Sequence, residues 1–238
     1  MKFDFRAGEV LLMQKPLTWS SFQVVNKMKY KLKHHPSQLL DGKLVQPKIG
    51  HAGTLDPLAT GLLIVCTGKM TKSIESFQAK EKEYTGTFFI GATTPCFDRE
   101  KPVDEYFPTE HITEEMIRET TNRFTGTIQQ TPPLYSAIRI DGKRAYNIAR
   151  AGKTAEIKSK EITISEFEIT RIALPEVDFR VVCSKGTYIR SLARDFGEAL
   201  NSGAHLAALC RTRIGEFHLK DAMSLEEFEE AVKNDVIV

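Results

Sequence analysis

Apolar and polar positions recur with two different periods along this chain. Glu9 to Gln14 reads as a strand, while Phe22, Val25, Met28 and Leu32 recur at helical spacing and predict an amphipathic helix from Ser21 to Lys33. The opposite face of that helix carries Lys27 and Lys31, with Lys29 and Lys33 nearby. The stretch HHPSQLLDGKLVQPK holds two prolines, an Asp-Gly pair and no clear period, so it predicts a loop over 34–48. Leu62 to Cys66 and Tyr84 to Ile90 predict strands. Thr113 caps a helix running to about Phe124, and Leu134 to Ile140 predicts a strand, turned by Asp141-Gly142 into a helix from Arg144 to Ala151 that stops at Gly152. Strands follow near Ile162 to Ile172 and Val177 to Cys183, then Thr187 as N-cap of a helix beginning at Tyr188. Ser224 with Glu227 forms a capping box for a closing acidic helix.

Strands are often adjacent and helices fall irregularly between them, which predicts a mixed α/β (α+β) fold rather than alternating βαβ units. No Pro/Gly/Ser linker interrupts the pattern, so one domain over 1–238 is expected. A 41% hydrophobic content supports a buried core. The opening MKFDFRAGEVLLMQKP lacks a signal-peptide apolar region, and apolar runs stay far below the roughly 20 residues that span a bilayer. A soluble, cytoplasmic protein with no membrane partner is expected. Cys66, Cys96, Cys183 and Cys210 lie far apart without metal-ligand spacing and read as reduced thiols. From Glu216 onward seven acids accompany two lysines, so residues 1–215 hold +7 against a total of +2, a balance that permits a polyanionic partner.

Several chemistries are excluded by spacing. The segment Gly61 to Lys69 puts six residues between its glycines where a phosphate loop has four, and Met follows Lys69 where that loop has Ser or Thr; GxGxxG, HExxH and GxSxG are absent. No metal and no cofactor is expected. The segment GHAGTLDPLATGL sets Asp56 before Pro57 among three glycines. An Asp before Pro forms turns by bonding nearby N–H groups, and it also suits a loop that presents a carboxylate, because Pro57 biases Asp56 to extended backbone and the glycines admit a ligand. His51 and Thr54 add polar groups. A working carboxylate must stay ionised, which a guanidinium favours; Arg190, in the first turn of the helix after SKGT, is a candidate for that role or for a surface ion pair. Tyr84 fits either a core aromatic or a base-stacking ring. TPPLYSAIRIDGKRAYNIARAGK interleaves Arg139, Lys143, Arg144, Arg150 and Lys153 with Tyr135 and Tyr146, a pattern shared by RNA-binding surfaces and solvated hairpins.

In this order, LLMQKPLTWSS, GHAGTLDPLATGLL, KEYTG, TPPLYSAIRIDGKRAYNIARAG, CSKGTYIRSLARDFG and GAHLAALCRTRIGEF resemble the TruB family of tRNA pseudouridine synthases, over residues from near 10 to about 217. The resemblance implies a bisected, mainly antiparallel sheet with helices. It also implies cofactor-free isomerisation of the T-loop uridine at tRNA position 55, with the tRNA T-stem-loop as partner and a monomer as the working state. It casts Asp56 as nucleophile, Tyr84 as the ring that stacks on the target base and takes the C5 proton, and Arg190 as the arginine paired with the aspartate. His51 fills the space left by the flipped nucleotide, Tyr188 and Leu209 line the uracil pocket, and Lys15 of the KP motif supports the site. Thr54 and Arg150 join as RNA-contacting residues, the latter inside a flexible thumb over 124–153.

The chain departs from the family at Gln14, where Asp is usual, at Cys210 in place of an Arg, and in a longer 34–48 loop, and it is expected to lack the C-terminal RNA-binding domain of many members. The Lys-rich 27–48 segment is expected to supply part of the RNA contact. A non-catalytic RNA-binding protein and a uridine-modifying enzyme for another RNA stand as alternatives.

Overall fold

A computed structural model describes residues 3–136, 138–140, 143–151 and 155–236. Its main elements in chain order are β1 (Val10–Lys15), α1 (Ser21–Leu32), β2 (Ile49–His51), β3 (Ala59–Thr67), α2 (Ile74–Ala79), β4 (Lys82–Ile90), α3 (Glu114–Thr120), β5 (Gly126–Gln130), β6 (Lys160–Ala173), β7 (Glu176–Cys183), α4 (Ile189–Ala199), β8 (Ala204–Ile214), β9 (Phe217–His218) and α5 (Leu225–Val236). The fold is mixed α/β, as the pattern predicts. Its residues group into two compact units, 1–82 with 210–238 and 83–209. The chain passes between them inside β4 and β8, so no composition shift marks the boundary.

In the first unit β1 and β2 pair antiparallel with β3, and β9 folds back on β8. The run LLIVC is continuous because β3 is covered on both faces, the situation in which strands lose alternation. Leu63 and Val65 pack with Val24, Met28 and Phe228 of α1 and α5, while Leu62, Ile64 and Cys66 pack with Phe77 and Ile214. Each such side chain contributes about 1.5–3 kcal/mol on burial. Gly61 (φ +110°) runs so close to β8 that a Cβ there would stand 2.3 Å from the Arg211 carbonyl oxygen, so only glycine fits.

In the second unit the strand order is β8-β4-β7-β6-β5. Phe88, Phe179 and Phe196 centre its core, with Phe88 stacked on Phe179 at 4.1 Å between ring centroids and Phe124 and Phe167 packed around them. Gly86 of KEYTG meets the same constraint as Gly61: an added Cβ would lie 2.4 Å from the Ala208 carbonyl oxygen.

Four expectations change. Phe22 is 66% exposed, because Ser21 turns inward against Leu55 and the buried stripe of α1 becomes Ser21, Val24, Val25, Met28 and Leu32. The 34–48 segment is not structureless: Leu39–Leu40 pairs with Lys43–Leu44 around Asp41-Gly42, both at positive φ, as a two-residue hairpin turn requires. Lys27 and Lys31 do not simply face solvent, since both reach Glu229 of α5, at 3.1 and 2.7 Å. The helix holding Arg190 starts one residue later than expected, with Tyr188 as N-cap, while the Thr187 hydroxyl donates to the Ser184 carbonyl. In the thumb segment Arg139–Ile140 pairs with Lys143–Arg144 and a helix covers Ala145–Arg150; the turn residues Asp141 and Gly142, the stop at Gly152 and the side chain of Arg150 lie outside what is described. Among the described residues no helix is long and apolar enough to cross a membrane.

Candidate active site

The Asp56 loop belongs to the first unit and is held from below. β2 delivers His51 beside Val65 of β3, Gly53 adopts φ +98°, and the chain re-enters β3 at Ala59, whose N–H donates to the Asp56 carbonyl at 3.0 Å. The Ser21 hydroxyl accepts from the Leu55 N–H at 2.9 Å and donates to the Leu55 carbonyl at 3.2 Å. Thr18 N–H donates to the Pro57 carbonyl at 2.8 Å. With the backbone on both sides fixed in this way, the orientation of Asp56 is set by the fold rather than by its own turn.

Two buried cations brace this loop. Lys15, 1% exposed, donates from Nζ to the carbonyls of Pro16 at 2.8 Å, Trp19, and Pro57 at 3.4 Å. Burial brings its pKa down to about 8, the Asp56 charge pulls it back up, and the Arg211 charge lowers it again. Arg211, also 1% exposed, donates from Nε to the Leu62 carbonyl at 2.8 Å and from Nη2 to the Gly53 carbonyl at 3.0 Å. Arg211 was not anticipated from the sequence, where it is one of two arginines in RTR and nothing distinguishes it from a surface charge. Thr54 is exposed and Asp56 half-buried, so both are open to a ligand. His51 is held neutral near pH 7, its pKa lowered first by burial and then by Arg211, against a hydrogen bond to the Gly53 backbone.

The second unit places Tyr84 and Leu209 half-buried against its core. Arg190 is buried in the first turn of α4: Nη1 donates to the Cys96 carbonyl at 3.1 Å, Nη2 to the Tyr135 carbonyl at 2.9 Å, and Nε lies 3.6 Å from Asp98 Oδ2. Asp98 is the second residue the sequence did not flag, since TPCFDRE has no period to reveal a buried acid. Gln130 clasps the backbone of the cap residue of this helix, accepting from the Tyr188 N–H at 2.8 Å and donating to the Tyr188 carbonyl at 3.1 Å. That bidentate amide ties β5, at the start of the 124–153 segment, to Tyr188, two residues before Arg190. Among the described residues no cluster of three or more His, Cys, Asp or Glu is arranged to hold a metal ion.

Burial lowers the proton affinity of His51 and also of His205, whose Nδ1 lies 2.9 Å from the Ala92 carbonyl oxygen, and of His35. Each therefore binds a proton more weakly folded than unfolded, so the folded state loses stability as pH falls below the ordinary histidine value of about 6.5. The urea midpoint is expected to drop between about pH 7 and about pH 6; a constant or rising midpoint rejects this.

The comparisons agree with this architecture. The family model described as TruB family pseudouridylate synthase (N terminal domain) matches residues 42–189, and that described as tRNA pseudouridylate synthase B C-terminal domain matches 190–235. The tRNA pseudouridine synthase B of Flavobacterium johnsoniae is 60% identical over 97% of this chain and 98% of its own length, and that of Phocaeicola vulgatus 56% identical over 95% and 94%. Among solved structures, the Cbf5-Nop10-Gar1 complex gives a TM-score of 0.69 at 28% identity, covering 95% of this chain and 55% of the other. An H/ACA RNP bound to a substrate RNA containing 2'-deoxyuridine gives 0.66 at 26% identity, covering 95% and 54%. The fold and these matches thus define a pseudouridylate synthase. The chain belongs to the TruB family.

Proposed function

We propose that this protein isomerises the T-loop uridine at tRNA position 55 to pseudouridine, acting in the cytoplasm as a monomer with one catalytic domain and no cofactor. The observation that carries the reading is the Asp56 loop: a family-matched GHAGTLDPLATG whose carboxylate stands on backbone fixed by Ser21, Lys15 and Arg211. The reaction breaks the C1′–N1 bond, turns the uracil and joins C5 to C1′, so it needs a nucleophile or charge stabiliser, a proton acceptor and a dry pocket. Asp56 serves as the first and Tyr84 as the second while stacking on the base, with Arg190 as the arginine of the set. His51 takes the space vacated by the flipped nucleotide, Tyr188 and Leu209 hold the uracil, Lys15 supports the Asp56 loop, and Thr54 and Arg150 contact RNA. Extracting the base costs a few kcal/mol, and stacking of about 1–3 kcal/mol on Tyr84 offsets much of it.

C5-tritiated uridine in an unmodified tRNA tests the proposal, because forming the C5–C1′ bond expels that tritium to water. Stoichiometric release at the T loop is expected. No release above background rejects the reading, and equal release from unrelated stem-loops moves the substrate away from the T loop.

A further inference from the structure

We propose that the outer face of α1 is a second RNA-contacting surface, on which Phe22 and Tyr30 stack unpaired nucleotides of the substrate while Lys29 and Lys33 meet the adjoining phosphates. The inference rests on the tRNA-modifying reading above and names a surface which that reading does not use. Phe22 is 66% and Tyr30 73% exposed, and six of the eight large apolar side chains exposed among the described residues fall between positions 17 and 44. Positions 22, 26, 30 and 33 follow helical spacing, so Phe22, Asn26, Tyr30 and Lys33 share one face with Lys29 at its edge. Eight residues at 1.5 Å rise separate the two rings by about 12 Å along the axis, so each ring addresses a different base.

Two further observations select RNA as the occupant. Lysines surround Tyr30 in the second half of the helix, at positions 27, 29, 31 and 33, whereas protein interfaces deplete lysine from their centres. Lys29 and Lys33 have no ion pair among the described residues, while Lys27 and Lys31 neutralise Glu229, so the acidic helix α5 presents less negative charge beside this face. The face is also continuous with the Asp56 loop: Ser21, the residue before Phe22, holds both backbone groups of Leu55, and exposed Leu17 adjoins Thr18, which binds Pro57. The first turn of α1 therefore lies beside the Asp56 loop.

The test compares dissociation constants for an unmodified tRNA transcript. The double variant Phe22→Ala/Tyr30→Ala is expected to bind at least about 25-fold more weakly, from two lost stacks of about fivefold or more each. Phe22→Trp/Tyr30→Trp, which keeps two stacking rings, is expected to stay near wild type. Lys29→Gln/Lys33→Gln is expected to reduce the slope of log Kd against log salt by about 1.4–1.8. Both rings are exposed, so thermal midpoints should match. An unchanged Kd in the double alanine variant overturns the inference, as does a changed sedimentation state with tRNA affinity intact, which would make the face a protein contact. If wild type isomerises tRNA while the alanine variants bind like wild type, only this inference fails; if wild type neither binds nor isomerises tRNA, the functional reading fails with it.

Discussion

Asp56→Asn is expected to lower tritium release from C5-labelled T-loop uridine by at least about 10⁴-fold, the scale on which loss of a catalytic nucleophile is felt. The substitution keeps the side chain's shape and removes only its charge and nucleophilicity. The backbone of the loop is held by Ser21, Thr18 and Arg211, none of which bonds to it through the Asp56 carboxylate. Folding and tRNA affinity should therefore remain close to wild type, and single-turnover release on bound RNA is the measurement. A variant that releases tritium within tenfold of wild type would remove Asp56 from the chemistry. Lys15 sharpens the expectation: a buried ammonium with its pKa near 8 is charged at neutral pH and loses a compensating negative charge in the variant, so its pKa should fall further.

Arg211→Ala is expected to cost about 3–5 kcal/mol of stability, lowering the thermal midpoint by roughly 6–20 °C for a chain of this size. Two effects combine. The carbonyls of Gly53 and Leu62 lose their donor, and a large buried side chain leaves a cavity in a layer where Gly61 already lies against the β8 backbone. Arg211→Lys should recover only part of this, since one ammonium does not reproduce the spread geometry of Nε and Nη2. Urea unfolding monitored by tryptophan fluorescence follows the change, because Trp19, the only tryptophan, passes its carbonyl to Lys15 beneath the same loop. A loss under 1 kcal/mol would show that the loop does not depend on this brace.

Sequence patterns reported the elements whose local and tertiary preferences agree. Ser20 and Gln23 form the capping box that starts α1, Thr113 caps α3, and Ser224 with Glu227 opens α5. The pattern missed β8 because AHLAALCRTRI is rich in Ala, Leu and Arg, which favour helix; pairing on both sides overrides that preference. It missed β5 because GTIQQ carries one large apolar residue, and its place is set by antiparallel partners in β6. It misplaced Phe22 because periodicity does not say which of two adjacent residues in a first turn faces inward; the Ser21 hydroxyl decides by bonding Leu55. At the site, the motif residues were legible as motifs. Their supports Arg211, Asp98 and Gln130 were not, since each acts on a carbonyl, a guanidinium or a backbone amide 58 to 158 residues away, and no local period encodes such a pairing.

The brace on the Asp56 loop also has a timetable. Arg211 follows Gly53 by 158 residues, and at 5–20 residues per second a ribosome needs about 8–30 s to make that stretch. Throughout that interval the nascent chain carries GHAGTLDPLATG without its guanidinium, while 83–209, contiguous in sequence, is completed in between. The guanidinium on the Asp56 loop is thus among the last of its supports to arrive during synthesis, and a chain interrupted before Arg211 keeps the contacts from Ser21, Thr18 and Lys15 but not that brace.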